Sequence, residues 1–328
     1  MGHFIPKIGV DLTGGDSTPE SLFEDLVVLG KSFDTSVHLI FFIPEMQLAA
    51  FEHVVKGKSL KCQVSLVPTK ETITMHDNPL TSIKAKKHSP MMTALRELKE
   101  GALDALVSIG NTGALIGGAT LILKRIKSIR RPGLLALLPT LTHPLVVIDV
   151  GANVTSTALH LMQFAQIGIA YQKCLGIAHP KVALLNIGSE KDKGRKEMRE
   201  AYKRLETLND HHPSHPVSMG NIEGKKVFEG SVDVLVTDGF SGNIFLKTAE
   251  GMTSFILEML SSSKQDLSDL KQLLDYAQYP GALICGVEGI VIKCHSYSTP
   301  SAIYHGIQGA INLVKSHFLQ KLKKQLKI

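Results

Sequence analysis

The chain is expected to be an α/β protein built on a mostly parallel sheet, and three observations point there. Short apolar runs that end in Gly, Asn or Asp and give way to helical periodicity recur five times. The runs are close to continuously apolar rather than alternating, the pattern of strands covered on both faces. The 328 residues are 44% hydrophobic with no low-complexity tract, enough to bury a large core. No linker interrupts the chain, so one continuous domain is expected over 1–328.

Taken in order, the first run is Ile8-Gly-Val-Asp-Leu-Thr-Gly-Gly-Asp16, a strand stopping in glycines. The second, Ala105-Leu-Val-Ser-Ile-Gly-Asn-Thr-Gly113, hands over to a helix at Asn111 and Thr112, with Gly110 and Gly113 allowing close backbone approach. The third is Val146-Val-Ile-Asp-Val-Gly-Ala-Asn153. The fourth, Val182-Ala-Leu-Leu-Asn-Ile-Gly188, precedes a helix expected from Glu190 through Leu205, with Lys193 near its start. The fifth begins at Val234, is expected to stop at Asp238, turn through two glycines and restart as a helix near Asn243. A helical pair is expected over about 253–278. The last helix, Ile311 to Ile328, sets Leu313, Phe318, Leu319, Leu322 and Leu326 against five lysines. That amphipathic pattern suits a lipid surface, but packing on the core explains the same leucines.

In open α/β sheets ligands bind outside the carboxyl ends of the strands, so these polar turns are expected to converge on one cleft. A turn leading into a helix aims backbone N–H groups at its guest, and an anion is the natural one. Asp238, Ser241, Asn243 and Lys247 fall within reach of the fifth turn. Asn111 and Thr112 form the best anion cradle, and Gly14, Gly15, Ser108, Gly110, Gly113, Asn153 and Asn186 line the others. Asp16 and Asp238 would repel an anion, so they are read as orienting a neighbouring Lys or Asn.

Other chemistries find no support. There is no GxGxxG, HExxH or GxSxG, and Gly57-Lys58-Ser59 lacks the earlier glycine of a P-loop, position 52 being Glu. His211-His212-Pro213-Ser214-His215 has no acidic or thiol companion close by, so no metal and no cofactor are expected. Net charge is +6, but aromatic content is 5% with no Trp, which argues against nucleic acid. Four cysteines without a CxxC pair and an N-terminus unlike a secretion signal lead to an expected cytoplasmic location. The longest apolar run, around Gly113 to Leu123, is too short to span a bilayer.

Seven blocks, read in order, carry a resemblance over nearly the whole chain. They are Val10–Asp16, Ser108–Leu115, Arg131-Pro132 with Leu138-Pro139-Thr140, Asp149–Val154, Leu184–Gly188 with Lys193-Gly194, Asn221–Gly224, and Asp238–Asn243 with Leu246-Lys-Thr248. Together they resemble the PlsX family of phosphate acyltransferases. The resemblance implies an isocitrate-dehydrogenase-like, doubly wound, mostly parallel sheet with a protruding helical pair. It implies transfer of an acyl group from acyl carrier protein to inorganic phosphate, giving acyl phosphate for phospholipid synthesis. A homodimer loosely attached to the inner face of the membrane is implied as well.

Phosphate is already ionised at neutral pH, so it needs no general base, only donors that hold it in line and steady an oxyanion. On the family match, Asn243 and Lys193 take the catalytic roles, Asn243 donating to phosphate or oxyanion and Lys193 supplying positive charge. Lys293, His295 and Ser298 are further substrate-site candidates on a loop that departs from the family, reading Cys294-His-Ser-Tyr-Ser298 in place of a His-Gly-Ser-Ser turn. Tyr279-Pro-Gly-Ala282 replaces Tyr-Gly-Gly-Ala, Lys84 stands where Arg is usual, and Ser261–Gln265 is polar where the family's helical tip is apolar. Three alternatives stay open: a coenzyme A-dependent phosphate acetyltransferase, a metal- and NAD(P)-dependent decarboxylating dehydrogenase using Asp11, Asp149 and Asp238, and a non-catalytic scaffold for acyl carrier protein.

Overall fold

The computed structural model describes residues 4–15, 17–29, 36–57, 61–210, 217–261, 279–294 and 299–326. Its strands are β1 (Lys7–Asp11), β2 (His38–Pro44), β3 (Gln63–Thr69), β4 (Ala105–Ser108), β5 (Gly133–Leu138), β6 (Leu145–Ile148), β7 (Val182–Leu185), β8 (Ser218–Ile222), β9 (Val234–Val236), β10 (Ala282–Cys285) and β11 (Ile290–Lys293). Its α-helices are α1 (Pro19–Leu29), α2 (Leu48–Gly57), α3 (Pro79–Ala85), α4 (Pro90–Glu100), α5 (Thr112–Ile122), α6 (Ala158–Cys174), α7 (Lys196–Asp210), α8 (Gly239–Ser261), α9 (Pro300–Lys315) and α10 (Phe318–Leu326). The chain divides into two compact units, Met1–Ile126 with Ala277–Leu319, and Lys127–Tyr276 with Gln320–Ile328.

In the first unit the strand order is β3-β2-β1-β4-β11-β10. All neighbours run parallel except β10, which is antiparallel to β11. Register sets Asp11 opposite Ser108, and Ser108 opposite Lys293. Three polar side chains therefore end three adjacent strands at one level. Helix α4 packs on β1, β2 and β4, and α9 on β4 and β11. Every residue of β4 and of β11 is buried, as expected for strands covered on both faces. Val10, Leu106 and Val291 are wholly excluded from solvent, and each such side chain contributes roughly 1.5–3 kcal/mol by burial.

The second unit orders its strands β5-β6-β9-β7-β8, with β5 antiparallel to β6 and the rest parallel. Helix α6 packs on β6 and β9. It starts with a capping box in which the Thr157 hydroxyl accepts from the His160 N–H and the His160 ring accepts from the Thr157 N–H.

Four expectations from sequence need correcting. Strand β9 ends at Val236 and α8 begins at Gly239, not near Asn243, because Asp238 Oδ1 accepts the Ser241 N–H at 2.8 Å and caps the helix ahead of where the asparagine could. Helix α7 begins at Lys196, not Glu190, because Gly194 takes φ +84° and breaks the helical path ahead of it. The final helix is two helices, α9 and α10, separated where His317 takes φ 55°. The first arm of the expected helical pair belongs to α8, which runs unbroken from Gly239 to Ser261, while 262–278 lie outside the described residues. Phe318, Leu322 and Leu326 are buried, so the apolar face of α10 packs inside the protein. No helix among the described residues is long and apolar enough to cross a membrane.

Candidate active site

Each unit carries its own cluster of strand-end polar groups. In the first unit, Asp11 Oδ1 accepts from the Thr13 N–H at 3.0 Å and the Thr13 hydroxyl at 2.6 Å. Asp11 Oδ2 accepts the Ser108 hydroxyl at 2.8 Å, and Ser108 Oγ in turn accepts the Gly110 N–H at 3.1 Å. Burial pushes the Asp11 carboxyl above the usual range, while the Thr13 and Ser108 hydrogen bonds and the Lys293 charge pull against it. Lys293 Nζ is buried and donates to the carbonyls of Ile109, at 3.1 Å, and of Cys294.

Asn111 sits at the mouth of the second turn with both ends of its side chain engaged. Its Oδ1 accepts the Ala114 N–H at 3.1 Å and caps α5. Its Nδ2 reaches the carbonyls of Thr74, Met75 and Asp77 at 3.3–3.4 Å. Asn111 thus shapes the turn into α5, whose start around Thr112 and Gly113 is the kind of helix N-terminus at which an anion can be held. A side chain on Gly14, at φ +83°, would come within 3.5 Å of Gly110 Cα, so the β1 and β4 turns lie against each other.

In the second unit Asp149 organises the turn after β6. Its carboxylate accepts N–H groups from Leu134, Gly151, Ala152 and Asn153 at 2.8–3.1 Å, and the Asn153 side-chain amide at 2.8 Å. Burial pushes this carboxyl up, and the hydrogen bonds from the Ala152 N–H, the Asn153 side chain and the Leu134 and Gly151 N–H groups pull it down. Asn153 also donates from Nδ2 to the Pro132 carbonyl and accepts the Gly239 N–H on its own carbonyl at 2.7 Å, which seats the start of α8 against the β6 turn. A side chain at Gly242 would collide with the Asp149 carbonyl, so only glycine lets the helix approach this closely. Asn243, exposed on the first turn of α8, lies with its amide oxygen 3.7 Å from where a Cβ on Gly151 would stand. Lys247, one turn on, pairs with Glu250 at 2.7 Å.

The turn after β7 brings Lys193 to the same end of the unit. Asn186 Oδ1 accepts the Ile187 N–H at 2.9 Å, and Asn186 Nδ2 donates to the Lys193 carbonyl at 3.1 Å. Asn221 donates to the Glu190 carbonyl at 2.8 Å, while its buried Oδ1 has no hydrogen-bond partner among the described residues. Lys193 is exposed on this turn. Because β7 and β9 are adjacent, the Lys193 turn and the Asn243 turn emerge side by side.

Sequence reasoning assigned Asp238 to a neighbouring Lys or Asn. Its partner is Arg195, whose Nη2 donates to Asp238 Oδ2. Arg195 was missed because nothing in its local sequence sets it apart from the other charged residues around it. Asp149, named in the dehydrogenase alternative, holds its own turn through the N–H groups of Gly151, Ala152 and Asn153, as an Asp followed by Val-Gly-Ala-Asn can. Asp16, His295, Ser298 and the His211–His215 cluster lie outside the described residues.

The chain matches the family model described as fatty acid synthesis protein over residues 6–321. It is 40% identical over 321 residues to the phosphate acyltransferase of Chlamydia abortus, covering 98% of this chain and 99% of that protein. With the phosphate acyltransferase of Thermotoga maritima it shares 37% identity over 334 residues, covering 97% and 96%. Among solved structures it is similar to a phosphotransacetylase from Streptococcus pyogenes, TM-score 0.63 at 17% identity over 95% of this chain and 94% of that one. It is also similar to 4-hydroxythreonine-4-phosphate dehydrogenase from Klebsiella pneumoniae, TM-score 0.58 at 12% identity over 94% and 99%. Those two share the mixed α/β fold and differ in chemistry, so the fold does not choose the reaction. The full-length relatives do: the chain belongs to the fatty acid synthesis protein family, the PlsX phosphate acyltransferases, and is an acyltransferase.

Proposed function

We propose that the protein moves a fatty acyl group from acyl carrier protein to inorganic phosphate. A phosphate oxygen attacks the thioester carbonyl carbon, a tetrahedral oxyanion forms, and the carrier thiolate leaves as the C–S bond breaks, giving acyl phosphate. The observation that carries this reading is the emergence of the Lys193 and Asn243 turns from adjacent parallel strands. A cation and a neutral amide donor there suit a nucleophile that is already charged and an oxyanion that must be steadied. Gly14, Gly15, Ser108, Gly110, Thr112, Gly113 and Lys293 act in the first unit as a phosphate- or substrate-binding set that Asn111 shapes, with Asn153, Asn186, Ser241 and Lys247 doing so in the second, where Asp238 orients its neighbours.

A long acyl chain is supported by what borders the second set. Val154, Ile187, Phe240 and Ile244 are 69%, 81%, 59% and 51% exposed, and directly follow Asn153, Asn186, Gly239 and Asn243 in the segments after the neighbouring strands β6, β7 and β9. Large apolar side chains left in water beside a polar turn are a natural seat for a lipid tail. Membrane contact or a second copy of the chain is proposed on α8, which exposes Met252, Phe255, Ile256 and Met259.

The test is to incubate the purified protein with phosphate and either palmitoyl-loaded carrier protein or acetyl coenzyme A, and to measure hydroxylamine-sensitive acyl phosphate. Product is expected from the carrier-protein arm, and Lys193→Ala or Asn243→Ala should each lower it at least about a hundredfold. Product from the coenzyme A arm alone would shift the reading to a phosphotransacetylase. No product in either arm from folded protein would overturn it.

A further inference from the structure

Resting on the reading above, we propose that Arg195 is a positioning residue, coupling the turn that carries Lys193 to the start of the helix that carries Asn243. Besides the helical bonds that the Met198 and Arg199 N–H groups make to the Arg195 carbonyl, four hydrogen bonds fix the segment Lys193-Gly194-Arg195. The Lys193 N–H donates to the Glu190 carbonyl at 3.2 Å, and Asn186 Nδ2 donates to the Lys193 carbonyl at 3.1 Å. Arg199 Nη1 donates to the Gly194 carbonyl at 2.7 Å. These three stay within the connection from β7 to α7. The fourth, from Arg195 Nη2 to Asp238 Oδ2, leaves it and lands on the β9–α8 turn.

What it lands on is rigid. The Asp238 side chain is 3% exposed, its Oδ1 accepts the Ser241 N–H at 2.8 Å, and its backbone carbonyl accepts the Gly242 N–H at 2.9 Å. The carboxylate is thereby locked to the first turn of α8, one residue before Asn243. Arg195 itself is 59% exposed. An ion pair between two exposed side chains adds little, but removing the guanidinium here leaves a buried carboxylate without its countercharge. The planar fork also fixes direction in a way that a lysine ammonium does not. Without this bond, the Lys193 turn keeps its own internal hydrogen bonds but loses its reference to the helix. Catalysis that needs Lys193 and Asn243 at a set separation is sensitive to such a slip, since a displacement of about 1 Å can cost about a hundredfold in rate.

The test compares wild type with Arg195→Ala, Arg195→Lys and the double variant Arg195→Ala/Asp238→Asn, by hydrogen exchange on the free full-length protein and by steady-state kinetics with phosphate and palmitoyl-loaded carrier protein. Arg195→Ala should speed amide exchange in both 187–194 and 240–245 while leaving the centre of α6 unchanged. It should lower kcat by about tenfold or more with KM for phosphate within about twofold, and Arg195→Lys should recover part of the loss. The double variant should be no worse than Arg195→Ala, because the arginine acts through the aspartate. Unchanged exchange, losses that multiply in the double variant, or a raised KM with kcat intact would each overturn the proposal; the last would make Arg195 a direct phosphate ligand. Exchange needs no substrate, so a loosened turn in a protein that makes no acyl phosphate would sink the reaction and keep the coupling. Should Arg195→Ala fail to fold, Arg195→Gln carries the same measurements.

Discussion

Asn153 donates both its backbone N–H and its side-chain amide to Asp149 Oδ2, each at 2.8 Å. With Leu134, Gly151 and Ala152 on Oδ1, the carboxylate is the centre of the β6 turn against which α8 begins. Asp149→Asn would turn one of those oxygens into a donor facing donors. The expected cost is about 3 kcal/mol, more than for an ordinary neutral hydrogen bond, because charged acceptors with buried donors lose most on removal. Guanidinium unfolding checks this, and a loss below about 1 kcal/mol would mean that the donors do not depend on the charge.

Much of this was legible beforehand, for a physical reason. Strands buried on both faces write themselves as apolar runs, and β1, β4, β6, β7 and β9 each fell where such a run stood. What periodicity does not carry is the side-chain hydrogen bond that decides where an element starts. Asp238 capping Ser241 moved the start of α8 to Gly239, and Gly194 at φ +84° moved the start of α7 to Lys196. The Arg195–Asp238 pair spans 43 residues, a separation no local pattern encodes. Residues at strand ends, Ser108, Asn111, Asn153, Asn186 and Lys293, were named from sequence, but their roles came from geometry. Asn111 is the instructive case, a suspected ligand whose side chain is taken up by the turn it shapes.

Two glycines of α8 should respond in opposite ways to alanine. At Gly242 the new methyl meets the Asp149 carbonyl and, at 2.7 Å, Thr237 Cγ2. Backbone on the other side cannot yield, so Gly242→Ala is expected to cost about 3 kcal/mol or more and to lower any activity that depends on Asn243. Gly251, inside the same helix, has nothing within 4 Å of its would-be Cβ. Gly251→Ala is expected to stabilise by about 0.5–1 kcal/mol through helix propensity and a less free unfolded chain. Thermal unfolding of the two variants beside wild type decides it, and equal shifts would show that α8 does not press on the β6 turn.

The cysteines should label in a fixed order. Cys294 is fully buried, and burial pushes its thiol up to about 12 despite the charge of Lys293. Cys62 and Cys285 are buried as well, while Cys174 is partly open. Only thiolate reacts, so in native protein at mildly alkaline pH a thiol reagent should modify Cys174 first and leave Cys294 untouched until unfolding. Mass spectrometry of the labelled peptides reads the order. Early modification of Cys294 would mean that the β11 end opens readily.

Acid should loosen the loop that clamps Asn111. Asp77 Oδ2 accepts Lys86 Nζ at 2.6 Å and the Thr74 N–H at 2.7 Å, and Lys86 also donates to the Thr72 carbonyl at 2.8 Å. That closes 72–78 so that its carbonyls face the Asn111 amide. The Lys86 hydrogen bond, ahead of the Thr74 one, holds the Asp77 carboxyl below the usual range. A carboxyl depressed in the folded state binds fewer protons there than in the unfolded chain. Its contribution is therefore complete above the unfolded value of about 3.9 and fades as pH falls through the lower, folded one. Asp77→Asn should melt below wild type at neutral pH, with the gap closing as wild type is taken through that acid window. Melting temperatures of both proteins measured across the acid range test it, and a gap that stayed constant to the lowest pH would assign the loss to shape instead of charge.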